Sequence, residues 1–137
     1  MSPQNSKDRI IIIDFGSQVT KLIARRIREF GVFSEIITLK DFNNIKSYHR
    51  IKGIILSGGP STVTKKSYPN IPSYVFTKKI PILGICYGLQ LISKNLGGKV
   101  KSLKKRREFG RATLTQIKSS KLTKNFYKGK KAVVWMS

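Results

Sequence analysis

The sequence predicts an α/β protein with an open, mostly parallel sheet and helices on both faces. Three observations carry this. Short apolar runs alternate with amphipathic stretches. The runs are continuous rather than alternating, as in strands covered on both faces. Three of them end in a tight turn, "DFGSQ", "SGGPS" or "GICYGLQ", and open parallel sheets gather their reactive groups at the carboxyl ends of strands.

The elements follow in order. Residues 1–8 form a polar N-terminal tail, and the domain runs over 9–137. "RIIIID" (9–14) is a buried parallel strand stopped by an acid. Ser17 is placed to cap the next helix. From Gln18 to Phe30 the apolar residues Val19, Leu22, Ile23, Ile27 and Phe30 recur at helical spacing, and Gly31 ends the helix. "SEIITL" (34–39) is a second strand, followed by a polar connection over 41–52. "GIILSGGPST" (53–62) is a third strand running into a glycine turn. The polar segment 63–79 holds one short helix near "PSYVFTKK", and "IPILGI" (80–85) is the fourth strand. "YGLQLISKNLGG" (87–98) is a helix closed by two glycines. "FGRATLTQI" (109–117) alternates like an exposed or antiparallel strand. "KAVVWMS" (131–137) begins another apolar strand, where the sequence stops, so truncation is expected and the sheet is expected to be incomplete at its C-terminus.

Composition bounds the rest. With 137 residues, 39% of them apolar, the chain can build one core. A single cysteine excludes an intrachain disulfide and a thiol cluster for zinc, and fits a reducing, cytoplasmic compartment. The first apolar run is too short for a signal peptide or a membrane span. The 28 basic and six acidic residues give a formal charge of +22. That field attracts nucleic acid non-specifically. The bases are spread along the chain, with their densest run in "KSLKKRRE" (101–108). A solvated lysine-rich surface and a basic nucleic-acid-binding module both fit this charge distribution.

The chemistry centres on Cys86. G-x-C-x-G has the nucleophile-elbow form with Cys in place of Ser. Gly84 and Gly88 leave room for a sharp turn between strand and helix. The strained backbone there costs about 1–3 kcal/mol, and the helix N-terminus favours a thiolate. A small buried cysteine after a strand is the plainer alternative. In "SGGP", uncovered N–H groups of Gly58 or Gly59 could join that of Tyr87 as an oxyanion hole. The turn lacks the spacing and lysine of a phosphate loop. Gln90 lies one helical turn beyond Cys86, where it could hydrogen-bond a polar substrate. The only histidine, His49, precedes the third strand. It is expected at the opposite edge of the sheet, so no cysteine–histidine pair is visible.

These residues resemble class I glutamine amidotransferases, whose elbow and oxyanion turn look like "GICYGLQ" and "SGGP". More narrowly, "IIDFGSQVTKLIARRIREFGVFSEI", "GIILSGGPSTV", "REFG" (107–110) and "VWMS" resemble the N-terminal amidotransferase domain of the GMP synthase family, over about Arg9 to Ser137. The resemblance implies a flavodoxin-like sheet and hydrolysis of glutamine through a cysteine thioester. The ammonia would serve conversion of XMP to GMP in guanine nucleotide synthesis. It implies Cys86 as nucleophile, Gly59 and Tyr87 as oxyanion donors, and Gly58 and Gln90 as the glutamine pocket. No metal or cofactor is implied in this domain; ATP and magnesium belong to a separate synthetase domain or chain, the expected partner, in a homodimer. The triad histidine and glutamate, in an F-H-P-E segment, are absent from this sequence, so low glutaminase activity is expected of these residues alone. The glutaminase of another class I amidotransferase is an alternative that "DFGSQ", "REFG" and "VWMS" disfavour.

Overall fold

A computed structural model describes residues 7–102 and 109–136. Most of the basic run 101–108, the first half of "REFG" and Ser137 fall outside the described residues. The chain divides into two compact units, Met1–Lys101 and Ser102–Ser137.

The first unit is a four-stranded sheet in the order β2-β1-β3-β4, formed by β1 (Arg9–Asp14), β2 (Ser34–Thr38), β3 (Ile51–Leu56) and β4 (Ile82–Gly84). Every pairing is parallel. The isoleucine run explains why β1 is central. Ile11, Ile12 and Ile13 are each at most 1% exposed although their side chains alternate between faces, which requires apolar cover on both sides. Each such side chain contributes about 1.5–3 kcal/mol by burial.

The cover comes from helices on both faces. On one, α1 (Thr20–Glu29) brings Ala24, Ile23 and Ile27 against Ile12 and Ile55. On the other, α2 (Leu39–Asn43), a 3₁₀ turn (Ser73–Thr77) and α3 (Tyr87–Asn95) bring Phe42, Val75 and Leu91 against Ile11, Ile13, Ile54 and Leu56. That a helix follows β1 was legible, but of its expected apolar face only Ile23 and Ile27 pack inward; Val19, Leu22 and Phe30 are exposed, and the buried positions are Thr20 and Ala24. Helix α2 was not legible. It starts directly after β2, where the Thr38 hydroxyl accepts from the Asp41 N–H at 3.1 Å. Helix α1 closes as expected at Gly31, whose φ of +74° suits glycine. The Gly31 N–H donates to the Arg28 carbonyl and the Val32 N–H to that of Ile27, a Schellman end.

Two sequence expectations are corrected here. Ser17 does not cap α1: its hydroxyl accepts from the Val19 N–H at 3.2 Å, and the helix begins only at Thr20. The fourth strand shrinks from 80–85 to Ile82–Gly84, since Pro81 has no N–H to give a ladder and Cys86 turns the chain.

The second unit is an antiparallel hairpin of β5 (Gly110–Thr115) and β6 (Lys131–Met136), with Arg111 opposite Trp135 and Thr113 opposite Val133. Strand β6 was expected as an apolar strand, but it alternates: Val133 and Trp135 are exposed.

Candidate functional site

Three turns meet at the carboxyl ends of β1, β3 and β4, and one buried hydroxyl stitches them. Ser57, the residue after β3, is fully buried. Its Oγ accepts from the Phe15 N–H at 3.1 Å and donates to the Gly58 carbonyl at 3.0 Å. Its backbone carbonyl accepts from the Gly88 N–H at 3.2 Å. "DFGSQ", "SGGP" and the start of α3 are thereby joined through one residue. Sequence reasoning did not single out Ser57; its signal was a small hydroxyl closing an apolar run ahead of two glycines.

Two of the glycines, Gly59 and Gly84, are required by close approach. A Cβ on Gly59 would stand 2.2 Å from the Phe15 carbonyl oxygen, and one on Gly84 would stand 2.6 Å from the Gly88 backbone. A Cβ on Gly58 would stand 3.5 Å from Cβ of Cys86 and 3.6 Å from Oγ of Ser17. The "SGGP" turn therefore lies directly against Cys86, on a shelf built by Phe15.

Cys86 itself has φ +51° and ψ −109°. Such a backbone is strained for a residue with a side chain, by about 1–3 kcal/mol. The surroundings enforce it. Before it, the Ile85 N–H donates to the Leu56 carbonyl at 3.0 Å; after it, the Gly88 N–H donates to the Ile85 carbonyl at 3.0 Å. The Cys86 carbonyl accepts from the N–H groups of Leu89 and Gln90. The result is an exposed thiol at the N-terminus of α3, not a buried cysteine filling the core.

Around this thiol, the N–H groups of Gly58, Gly59 and Tyr87 have no acceptor among the described residues. The Tyr87 side chain points the other way. It is buried against Phe15, ring centres 5.2 Å apart, and its hydroxyl donates to the Pro69 carbonyl. Burial, then the nearby Tyr68, pushes its phenol up to about 12. Gln90 reaches the loop after "SGGP", where its Oε1 accepts from the Thr62 hydroxyl at 3.1 Å and the Val63 N–H at 3.3 Å. Thus Cys86, Gly58, Gly59, Tyr87 and Gln90 share one end of the sheet.

His49 does not join them. It is exposed, two residues before β3, at the strands' opposite end. There it lines a groove of about 690 Å³ with Arg9, Glu35, Asp41, Lys46 and Arg50. This groove lies at the end of the sheet away from Cys86.

The sequence profile of the family described as "Glutamine amidotransferase class-I" matches residues 11–137. The chain belongs to this family. Among curated proteins it is 48% identical over 132 residues to "GMP synthase [glutamine-hydrolyzing]" of Tolumonas auensis, covering 91% of this chain and 24% of that protein. It is 50% identical over 133 residues to the protein of the same name from Agrobacterium fabrum, covering 95% and 25%. The chain thus spans about a quarter of the length of the curated relatives it matches. A solved structure of a candidate GMP synthase subunit from Thermoplasma acidophilum superposes with a TM-score of 0.66 at 28% identity, covering 93% of this chain and 62% of that one. The α/β class I amidotransferase fold is therefore that of this chain. None of its described helices is long and apolar enough to cross a membrane.

Proposed function

We propose that this chain carries the glutamine-binding and nucleophilic half of a GMP-synthase-type glutaminase. The observation that carries the reading is the pairing of an exposed Cys86, held in a left-handed backbone, with the acceptor-free N–H groups of Gly58, Gly59 and Tyr87 beside it. The Cys86 thiolate attacks the side-chain carboxamide carbon of glutamine, forming a C–S bond. Negative charge develops on the former carbonyl oxygen, where the N–H groups of Gly59 and Tyr87 stabilise it. The C–N bond then breaks and ammonia leaves with an added proton. Water attacks the γ-glutamyl thioester, releasing glutamate and restoring the thiol. Gly58 and Gln90 line the glutamine pocket.

A general base is required to move these protons and typically contributes about 10²–10⁴-fold. His49 is too remote to serve. The base comes from residues of the working enzyme other than those described here, the histidine–glutamate pair that the family resemblance implies. Ammonia passes to a synthetase domain or chain that aminates activated XMP in the cytoplasm, with the whole enzyme a homodimer. ATP and magnesium belong to that partner. Among the described residues no group of three His, Cys, Asp or Glu gathers for a metal, and the "SGGP" turn has no phosphate-loop lysine.

The test is covalent labelling. A chloroketone analogue of glutamine should alkylate Cys86 stoichiometrically and far faster than it alkylates free cysteine. Glutamine should protect, and Cys86→Ser should abolish the reaction. Labelling no faster than free cysteine would overturn the reading.

A further inference from the structure

We propose that Thr62 is a positioning residue of this site, one that holds the Gln90 carboxamide in the orientation the Val63 N–H dictates and thereby fixes what Gln90 offers to a substrate. The inference rests on the glutaminase reading of Cys86. Gln90 accepts two hydrogen bonds at one atom, from the Thr62 hydroxyl at 3.1 Å and from the Val63 N–H at 3.3 Å. A backbone N–H is a donor only, so the end of the amide facing Val63 has to be the oxygen. The Thr62 hydroxyl is directed as well. Its oxygen accepts from the Thr64 N–H at 3.3 Å and lies 3.1 Å from the Thr64 hydroxyl; because the Gln90 oxygen can only accept, the Thr62 hydrogen goes to Gln90 and the Thr64 hydroxyl is the donor to Thr62. Rotating the amide by half a turn would set its NH2 group against the Val63 N–H and forfeit that bond, and the Thr62 hydroxyl would have to turn from donor to acceptor.

The consequence falls on the other end of the amide. The Nε2 group has no acceptor among the described residues, and Gln90 sits one helical turn from the thiol, with its own N–H on the Cys86 carbonyl at 3.2 Å. Gln90 therefore presents two N–H donors and no acceptor to whatever binds beside Cys86. Such a group selects an oxygen acceptor on the substrate and rejects a donor placed there. Thr62 acts through Gln90 and does not touch the reacting atoms.

The surrounding structure makes this testable, because the loop has other ties to α3. The Tyr87 hydroxyl bonds the Pro69 carbonyl, and Asn95 Nδ2 donates to Asn70 Oδ1 at 3.0 Å. Thr62→Val keeps the shape, removes only the hydroxyl, and leaves the loop anchored. The experiment uses the full polypeptide made from its gene. It compares the rate of Cys86 alkylation by the glutamine chloroketone with the rate by iodoacetamide, which needs no glutamine pocket. Thr62→Val should lower this ratio about tenfold, the scale of one well-placed hydrogen bond, with the iodoacetamide rate unchanged. Thr62→Ser should restore the ratio to within about twofold. Gln90→Glu keeps an acceptor for Thr62 and Val63 but loses the donors, and should lower the ratio at least as far. A ratio indifferent to Thr62→Val overturns the inference alone. So does an equal slowing with both reagents, which would make Thr62 a support of the elbow itself. No preference for the chloroketone in the unaltered protein overturns the glutaminase reading, and this inference with it.

Discussion

Gly88→Ala isolates the contact that presses α3 onto the sheet. A Cβ at Gly88 would stand 2.1 Å from the Leu56 carbonyl oxygen and 2.6 Å from Leu56 Cβ. Carbon and oxygen approach to only about 3.3 Å even in weak hydrogen bonds, so the helix start must retreat by about 1 Å. Neither partner is the loose end of a side chain; both are anchored in β3. The retreat pulls on the Gly88 N–H bond to the Ser57 carbonyl and on the Ile85 N–H bond to Leu56, each worth about 1 kcal/mol. Overpacking adds about 1–3 kcal/mol. The expected loss is about 3–5 kcal/mol, a large share of the 5–15 kcal/mol typical of a domain, and the melting temperature should fall by about 10 °C or more. Gly97→Ala is the control. That glycine has φ +84° but nothing within 4 Å of an added Cβ, so only the backbone term of about 1–2 kcal/mol applies. Thermal unfolding followed by circular dichroism measures both, with Cys86 alkylation as a local readout. If Gly88→Ala costs no more than Gly97→Ala, the close approach of α3 to β3 is wrong.

Two further outcomes are expected. Because the Tyr87 phenol is raised to about 12 by burial and by Tyr68, the folded state holds its proton more tightly than the unfolded state does. The resulting stability is complete below about pH 10 and is lost as pH rises from about 10 to 12. Tyr48 is raised too, by burial first and then by its hydrogen bond with Tyr74, so Tyr87→Phe should flatten the alkaline decline only in part; an unchanged slope in urea titrations would refute the assignment. Ser34 is fully buried, its hydroxyl donating to the Ala24 carbonyl at 3.0 Å and accepting from Arg28 Nε at 3.1 Å. Ser34→Ala should cost about 1–2 kcal/mol, and a loss below about 0.5 kcal/mol in urea would mean these bonds contribute nothing.

The sheet was legible wherever one residue class met one physical demand. Four successive isoleucines can only be a strand covered on both faces, and β1 is that strand. Glycines at 84 and 88 signalled a close approach of helix to strand, and backbone atoms do lie there. What escaped was set by single hydrogen bonds. Helix α2 is five residues long and hangs on the Thr38 cap, too short for periodicity to reveal. Ser17 has the composition of an N-cap, but Asp14 Oδ1 takes the Gly16 N–H and the Thr20 hydroxyl, and the helix starts two residues later than expected, at Thr20. At the site, the gathering of Cys86, Gly58, Gly59 and Tyr87 followed from strand order. The Ser57 stitch and the Gln90 latch could not be read, since a serine or glutamine declares no partner until the loops are folded.

The left-handed turn at Cys86 sets stability and chemistry against each other at one position. Glycine would adopt the same φ without the side-chain penalty, so selection for a sturdier fold alone would replace the cysteine there. A lineage freed from the need for a thiol would gain from that exchange at once, by a single codon change and with no repacking. Position 86 is therefore the place where a copy of this gene that had stopped doing chemistry would first show it.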